Sequence, residues 1–560
     1  MLKIYQRTKV GLVGNYIFIN IKTANRNHDM KNLKRHFINL IFPAFIFGAI
    51  TGIFTALIVI LYKLIAKYVI AFSQNSYVFL REKLYLIPLV LIAFFGIALL
   101  FSRIYKKEPR TQGGGIPSSI ALLRGIVTFK WLRTLIGVFF MSMTSFLIGV
   151  PLGNEGPSVL MGTAVGKGSV KLFAKKHPAW SRYSMTGGAC AGFSVATGAS
   201  ISGVLFAVEE GHQRISPMIL LVGAISVLFA QVVSEILCPV LGLSTSIFPK
   251  LNLVDLTVKD AWLPLLVGGL VGLFAVLFLK YYHVVNDFFN LKIKKISLTI
   301  KIFLVFVLTL GFGLISFSFV STGHEIFSLL LEDNLMIFGL IILLLVRMTL
   351  TLFANTNKLT GGVFVPILAL GAILSSIIAN GMETLFGLSY QYYVVIIVLG
   401  ISSCISAMMK MPLTAMIFSI EALGCANNII HVIIAVAISF VITEIFKAKG
   451  INDGIIKNLI KRQEETHQRQ IIDTYVVIKK GSFAENMQAK DILWPANFFL
   501  LSIIPSKTRQ VQIDQQGDKS FHEGDVLHIR YATFDESHTK QELIAIVGEQ
   551  DYDDESIVFE

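Results

Sequence analysis

The chain has 560 residues, of which 54% are hydrophobic and only 15% are charged. The apolar residues come in long runs, a composition that excludes an ordinary water-soluble or disordered protein. The net charge is 49 − 35 = +14. Much of the excess falls in polar segments such as Lys106–Arg110, Lys175–His177, Lys292–Lys295 and Lys457–Arg462. This is the pattern of cytoplasmic loops in membrane proteins, so the charge does not indicate a nucleic-acid partner.

The apolar runs predict membrane spans. A helix needs about 20 mostly apolar residues to cross a bilayer, because its backbone polar groups must be paired within the segment. Ten runs approach this quality: 38–66, 85–101, 134–150, 184–208, 217–240, 262–282, 300–319, 335–354, 390–409 and 413–446. They predict an all-α polytopic protein, multi-pass in the cell membrane and surrounded by the lipid bilayer.

The two ends of the chain are more polar. Residues 1–35 are predicted to be a basic cytoplasmic leader, because the apolar run that follows is too long for a cleaved signal. Met30 is an alternative start. We assign 36–448 to the membrane domain, 449–470 to a polar linker and 471–560 to a small α/β cytoplasmic domain. Short strands are predicted in this last domain at Thr474–Ile478, Phe498–Ile504, Val511–Ile513 and Val526–Tyr531.

The membrane part contains an internal repeat. Gly153–Pro157, with the sequence GNEGP, has a counterpart in Gly362–Pro366, with the sequence GVFVP. Ser200–Glu209 likewise matches Pro412–Glu421, and the offsets are 209 and 212 residues. Repeated halves with glycine- and proline-interrupted helices are how many secondary transporters build a site near the middle of the bilayer.

Three glycine-rich breaks, Gly113–Pro117, Gly153–Pro157 and Gly361–Pro366, lie inside or beside apolar runs. Each has a proline where a helix could begin. A buried helix N-terminus offers unpaired N–H groups and a positive dipole end, which bind an anion without the full charge that would hinder its release. Close helix packing would be the better explanation of a single break. Three breaks, two of them at equivalent places in the repeat, favour an anion site.

Two acidic residues are candidates for proton transfer. Glu155 lies within a break, and a carboxylate at membrane depth is costly enough to indicate a function. It can occupy an anion position and leave it when protonated, so we predict that it is a gate and a proton carrier. Glu209 and Glu210 end a long apolar run. Glu209 pairs with Glu421 in the repeat and is more simply a solvated helix end, whereas Glu210 is the better candidate.

Together these residues resemble the CLC family of chloride channels and chloride/proton antiporters over about residues 40–460. Gly113–Pro117 stands at the family's GSGIP segment, Gly153–Pro157 at GxEGP and Gly361–Pro366 at GGxFxP. The resemblance implies a homodimer with one pore per subunit and two halves of inverted topology. It also implies that Glu155 is the external gating glutamate and Glu210 the internal proton-transfer glutamate, with chloride and protons as the transported ions.

The resemblance implies a set of anion ligands as well. The predicted anion-binding residues are Gly114, Gly115, Ile116, Asn154, Gly156, Val363, Phe364 and Asn452. Backbone N–H groups of Val363 and Phe364 would bind the central anion, and those around Glu155 would line the outer site. Gly114 replaces the serine that the family usually offers to the central anion, and Asn452 stands where a tyrosine is expected.

The C-terminal domain resembles the TrkA-C domain found in regulators of potassium channels. The matching features are Gly481, Pro495, the Gly517–Asp518 turn and His522–Leu527. The resemblance implies the sensing of a small regulatory ligand or the stabilisation of a dimer, and an inert cytoplasmic cap is the alternative. The domain has no GxGxxG or P-loop pattern, so no nucleotide of those types is predicted.

Several alternatives remain open. Within transport, a passive chloride channel gated by voltage or pH would need Glu155 but no internal relay at Glu210. The fluoride-specific branch of the family also varies the GSGIP serine, but Pro157 keeps the proline of GxEGP, which favours chloride.

An intramembrane enzyme using Glu155 and Glu210 as an acid/base pair is an alternative from a different class. The chain lacks HExxH, a GxSxG elbow and any His/Cys metal cluster, so we predict no enzyme activity, no metal and no cofactor. The four cysteines, Cys190, Cys238, Cys404 and Cys425, fall in apolar segments and are predicted to be packing residues.

Overall fold

The computed structural model of the chain describes residues 40–249, 251–293, 295–332, 335–466, 469–514 and 517–550. The predicted leader, 1–35, lies outside them. The described part has eighteen α-helices and one three-stranded sheet, which confirms the predicted fold class. Nine of the described helical segments are long and apolar enough to cross a membrane, judged by length and composition.

The helices form two sets of eight. Helices α1 to α8 span Phe42–Glu82, Ile87–Lys107, Ile116–Leu123, Trp131–Ile148, Glu155–Phe173, Trp180–Thr197, Ser200–Phe206 and Pro217–Val240. Helices α9 to α16 span Trp262–Asp287, Leu298–Ile315, His324–Glu332, Ile337–Thr356, Phe364–Phe386, Tyr393–Met409, Pro412–Glu421 and Ile429–Ile445. The third and seventh helices are short in both sets. Contacts repeat too, since α8 packs on α1 as α16 packs on α9. These are the two halves that the sequence repeat predicts.

Two of the predicted spans need correction, and one further apolar helix was not predicted. The run 184–208 forms two helices, because α6 ends at Gly198, whose φ of 78° is left-handed. The run 413–446 also forms two helices, α15 and α16, with Gly424 in the intervening turn at a φ of 67°. Conversely, α13 is an apolar helix of 23 residues that is absent from the ten predicted runs. Glycine and proline around its first turn interrupt the apolar pattern.

The two halves are joined by a pair of acidic side chains. The Glu209 carboxylate accepts hydrogen bonds from two backbone N–H groups at the start of α15, at 2.9 and 2.8 Å. The Glu421 carboxylate does the same at the start of α7, at 2.7 and 2.9 Å. Carboxylates stabilise helix N-termini through these bonds and through the helix dipole. Glu209 is therefore a cap of the other half, and its interpretation as a solvated helix end is corrected.

The segment predicted as a polar linker, 449–470, is mostly a helix. This helix, α17, spans Ile451–Thr466 and packs against α3. Its first residues, Ile451 and Asn452, are buried. Hydropathy does not reveal this helix, because a helix with few apolar residues can still be covered by its neighbours.

The C-terminal domain is a three-stranded antiparallel sheet with one helix. Strands β1, β2 and β3 span Gln470–Val477, Phe498–Ile504 and Val526–Thr533, and α18 spans Glu536–Val547. The strand order is β1-β3-β2. The predicted strand at Val511–Ile513 forms only an isolated bridge from Gln512 to Ile503. The other three predicted strands are present, and β1 begins four residues earlier than predicted.

This domain packs on one end of the membrane domain. The Phe483 ring lies edge-on to Trp180 at the start of α6, with 5.6 Å between ring centroids. Arg182 donates hydrogen bonds to two backbone carbonyls of the 492–494 segment. It also donates to the carbonyl of Leu123, the last residue of α3, at 2.7 Å. One partly buried guanidinium thus connects the C-terminal domain to α3, whose other end is a predicted anion-binding segment.

Candidate anion-binding site

The three predicted breaks meet inside the membrane domain. Gly153 and Gly362 exchange two backbone hydrogen bonds, with N to O distances of 2.6 and 2.7 Å. The N–H of Gly361 donates to the carbonyl of Gly113 at 3.3 Å. Segments that are separate in sequence therefore form one backbone cluster. The paired segments of Gly153 and Gly362 come from opposite halves of the repeat.

Glycine is required where these backbones approach most closely. A Cβ atom at Gly156 would lie 1.8 Å from the carbonyl oxygen of Gly114, and one at Gly115 would lie 2.1 Å from that of Gly156. Gly114 is different, because a Cβ there would meet no neighbour closer than 3.6 Å. A serine would fit at 114, so this chain lacks the hydroxyl without being forced to by packing.

Three helices start at this cluster. Helices α3, α5 and α13 begin at Ile116, Glu155 and Phe364, and no side chain caps any of these N-termini. Each predicted proline lies within the first three residues of its helix, where its missing N–H removes no helical hydrogen bond. Uncapped first-turn N–H groups and the positive ends of helix dipoles are the elements of an anion site.

The N-terminus of α13 is held by aromatic packing. The Phe364 ring lies edge-on to Phe193 of α6, with centroids 5.2 Å apart, and to Phe418 of α15, with centroids 5.5 Å apart. Edge-on contacts of this kind fix ring orientation. The backbone N–H groups of Val363 and Phe364 therefore have defined positions. Their binding of the central anion stays a prediction.

Glu155 lies between the N-termini of α5 and α13. Its side chain is fully buried and lies beside Gly153 and Val365. Neither carboxylate oxygen meets hydrogen-bond geometry with a described residue. A buried carboxylate without a firm partner is expensive, and such groups persist in proteins where they serve a function. The carboxylate is positioned where an anion would otherwise face the two helix ends.

A cavity of about 70 Å³ reaches the other side of the cluster. Its polar and glycine lining includes Arg110, Gly113, Gly114, Asn286, Asn290, Asn355 and Lys358. The two cations lie at the approach to Gly114 and raise the local concentration of anions there. The three asparagines are not among the predicted site residues. They lie in or just beyond the last turns of α9 and α12, where their side-chain amides can donate to an anion.

Glu210 has a buried partner that the sequence does not suggest. It is 3% exposed, and its Oε1 accepts a hydrogen bond from the amide nitrogen of Asn452 at 3.1 Å. Glu210 lies in a π-helical turn, Ala207–His212, and Arg124 donates to its backbone carbonyl at 2.8 Å. Asn452 thus contacts the predicted internal proton site. Whether it also contacts an anion stays a prediction.

A histidine that is absent from the predicted site lies beside Glu155. Nε2 of His324, the first residue of α11, is 3.6 Å from Oε1 of Glu155 and 3.5 Å from Oδ1 of Asn154. The repeat contains the signal that would have found it. A shift of 208 residues moves Gly113–Pro117 onto Ser321–Glu325, which contains His324.

The cysteines and the possible metal ligands lie apart from one another. All four cysteines are buried and unpaired with one another. Within the described ranges, no three His, Cys, Asp or Glu side chains are grouped closely enough to hold a metal ion.

Comparison with known proteins agrees with this architecture. The family described as "Voltage gated chloride channel" matches residues 93–444, which is more than half of the chain. The H(+)/Cl(-) exchange transporter ClcA of Vibrio parahaemolyticus is 25% identical over 443 residues, covering 77% of this chain and 93% of its own.

Solved structures share the fold. A slow cyanobacterial Cl-/H+ antiporter matches with a TM-score of 0.67 and 22% identity, covering 75% of this chain and 99% of its own. A CLC-type fluoride/proton antiporter matches with a TM-score of 0.59 and 18% identity, covering 72% and 95%. Two halves of broken helices, three converging breaks and the family match over 93–444 lead to one conclusion: the chain belongs to the CLC family of voltage gated chloride channels.

Proposed function

We propose that this chain is a chloride/proton antiporter in which Glu155 is the gate. The observation that carries the proposal is the fully buried Glu155 carboxylate between the uncapped N-termini of α5 and α13. A carboxylate at this position competes with chloride for the same N–H groups, and protonation removes the charge that holds it there. Chloride entry and proton uptake are thereby linked at one side chain.

A second buried acid supports exchange over a passive pore. The proton has to leave the anion path and reach the other solution by its own route, which calls for another titratable group. Glu210 is buried, is hydrogen-bonded by Asn452 and has no counterpart in the second half, where Ala422 follows Glu421. The similarity to a protein named H(+)/Cl(-) exchange transporter supports the same function.

We propose that the anion ligands are mainly main-chain groups. Val363 and Phe364 would bind the central anion, and the first turn of α5 would bind the outer one. Gly114 to Ile116 contribute backbone from α3, and the fixed cations Arg110 and Lys358 line the adjoining cavity. This division suits transport, because cations outside the site attract the anion while N–H groups hold it loosely enough for release. Pro157 favours chloride over fluoride.

The C-terminal domain would then be cytoplasmic. It packs on the end of the membrane domain that carries Arg182 and Arg214, and Lys175 and Lys176 directly precede this end. Basic residues of membrane proteins stay in the cytoplasm. The contact from Arg182 to Leu123 supports a regulatory role, because a ligand that displaced the domain would act on one end of α3. Such a ligand, and the TrkA-C likeness, remain proposals.

A homodimer would cover two unusual surfaces. The capping carboxylates of Glu209 and Glu421 are only half-buried, next to the exposed side chains of Ile201 and Leu413. Carboxylates facing lipid would be costly, which favours a second copy on this face. The sheet of the C-terminal domain has its own exposed apolar residues, Ile471, Tyr475 and Phe499.

Charged groups lie among these apolar residues of the sheet. The Arg530 guanidinium beside Asp473, together with His528, holds the pKa of that carboxyl below its usual value. The carboxylate therefore stays ionised on this face at neutral pH, and its contribution to stability is lost only as the pH falls through the lowered value.

The first prediction concerns coupling at Glu155. In liposomes a chloride gradient should drive protons uphill through the wild-type protein. Glu155→Gln mimics the protonated gate, so chloride flux should continue without proton movement and without pH dependence. Chloride flux with no uphill proton movement in the wild type would establish a passive channel instead. A Glu155→Gln protein that does not conduct, beside a wild type without pH dependence, would make the carboxylate structural.

The second prediction separates the neighbouring acids. Glu210→Gln should abolish uphill proton movement and spare chloride flux, because it removes the internal acid and keeps the amide contact possible. Glu209→Gln is the matched control, since it weakens the cap of α15 by about 0.5–2 kcal/mol and should leave the chloride-to-proton ratio unchanged. The internal site lies elsewhere if both variants couple normally.

The third prediction concerns the dimer. Light scattering in mild detergent should give the mass of two copies for the full chain and also for a chain ending at Thr466, because the membrane face is proposed as the main contact. Two copies for the full chain and one for the shortened chain would assign the dimer to the C-terminal domain. One copy for the full chain would contradict the dimer.

A further inference from the structure

The two halves of the repeat carry different residues at equivalent helix starts. Shifting Gly113–Pro117 by 208 residues gives Ser321–Glu325, and both segments place a glycine of positive φ before a short helix. The φ angles are 76° at Gly115 and 104° at Gly323. The next residue is apolar in the first half, Ile116, and titratable in the second half, His324. The second half thus carries an imidazole at a helix start where the first half carries an apolar side chain.

His324 connects the buried gate to more accessible space. Its side chain is 32% exposed, whereas that of Glu155 is completely buried, and 3.6 Å separate Nε2 from the nearer carboxylate oxygen. Within the described residues, His324 is the only ion-pair partner of Glu155. Because the Glu155 carboxylate is out of contact with solvent, a proton needs a carrier to reach it or to leave it. An imidazole 3.6 Å away can be that carrier.

The imidazole is held by a rigid support. Arg347 is buried and donates three hydrogen bonds, at 2.6 to 3.0 Å, to backbone carbonyls of the 318–321 loop. Ser321 donates its N–H to the carbonyl of Gly149 at 2.7 Å. A Cβ atom at Gly323 would lie 2.8 Å from the Arg347 guanidinium, so only glycine fits between the loop and the helix. The loop that orients His324 is therefore fixed on both sides.

The charges around His324 come from four helices. Glu155 faces it from α5, Glu325 lies next to it on α11, Arg347 approaches from α12 and Lys63 from α1. Both cations have backbone partners, because Lys63 donates to the carbonyls of Val195 and Ser244. Neither cation forms an ion pair with Glu155 among the described residues, and arginine does not deprotonate.

We propose that His324 is the outer proton relay of the exchanger. The imidazolium gives the proton on Nε2 to Oε1 of Glu155, which becomes the neutral acid and leaves the anion position. The ring keeps its proton on Nδ1 and regains one at Nε2 from a hydronium ion on the accessible side, which is left as water. In the reverse direction, the neutral ring takes the proton from Glu155 and releases one to that water, so charge and protons balance in each step.

The main test compares chloride-driven proton transport in liposomes from about pH 4 to about pH 8. His324→Gln keeps a hydrogen-bonding group but cannot titrate, so exchange should slow at least about tenfold with an unchanged chloride-to-proton ratio. His431→Gln is the matched control, because His431 lies near the start of α16 and contacts the Thr257 carbonyl rather than the gate. Unchanged or faster exchange in His324→Gln across this range would overturn the relay.

Chemical rescue distinguishes proton transfer from a structural effect. His324→Ala leaves a space beside Glu155, so added imidazole should restore most of the lost exchange rate. It should have no effect on His324→Gln, where the space is filled. Absence of rescue in a His324→Ala protein that still binds chloride would contradict the relay.

Because the inference rests on the proposed function, a double variant separates the two. In the Glu155→Gln background no proton is needed, so adding His324→Gln should leave chloride flux unchanged. An equal slowing in both backgrounds would make His324 part of the anion path and overturn the relay, while antiport itself would stand. A wild type without uphill proton movement would instead refute the proposed function before His324 is considered.

Discussion

The two hydrogen bonds exchanged by Gly153 and Gly362 are the constraint on which the rest of the membrane domain depends. A helix that breaks inside a bilayer leaves backbone polar groups without partners, and no water is present to replace them. Here each half supplies the partner for the other. The pairing fixes the starts of α5 and α13 face to face, so their N–H groups point at a shared space. A Cβ atom at Gly115 or Gly156 would overlap the neighbouring backbone, which is why glycine occurs at these closest contacts.

The placement of charge follows from this arrangement. The cationic side chains of Arg347 and Lys63 donate hydrogen bonds to backbone carbonyls. Those of Arg110 and Lys358 line the cavity next to the glycine cluster. The helix ends provide a weaker attraction, suited to an ion that must be released. The negative charges are buried singly, Glu155 at the helix ends and Glu210 near Asn452. In the proposed function, anion and proton are handled by different groups that meet at Glu155.

Much of this was accessible from the sequence, because local patterns determine it. Glycine next to proline in an apolar run predicts a helix break, and the repeat predicts that two breaks are equivalent. The pattern does not reveal which side chain of the other half a break will meet. Glu209 has the same local sequence context as a solvated helix end, and its role as a cap depends on α15, more than 200 residues away. The contact between Asn452 and Glu210 likewise depends on α17, a helix hidden in a polar stretch.

His324 is a residue near the candidate site that the sequence pattern did not identify. Its sequence neighbourhood has neither the glycine run nor the proline that marks the other breaks, so pattern alone passes over it. The repeat offset points to it only once the second half is compared with Gly113–Pro117. The C-terminal domain was predictable in its strands, whose alternation is local. Its packing through Arg182 and Phe483 was not, because it joins residues about 300 positions apart.

The central claim is that main-chain N–H groups at the starts of α5 and α13 form the anion site. Anomalous diffraction from crystals of the Glu155→Gln protein in bromide measures this most directly. We expect bromide peaks within hydrogen-bond distance of the Val363 and Phe364 nitrogens and at the first turn of α5. Bromide found only in the cavity beside Arg110 and Lys358, with neither helix end occupied, would contradict it.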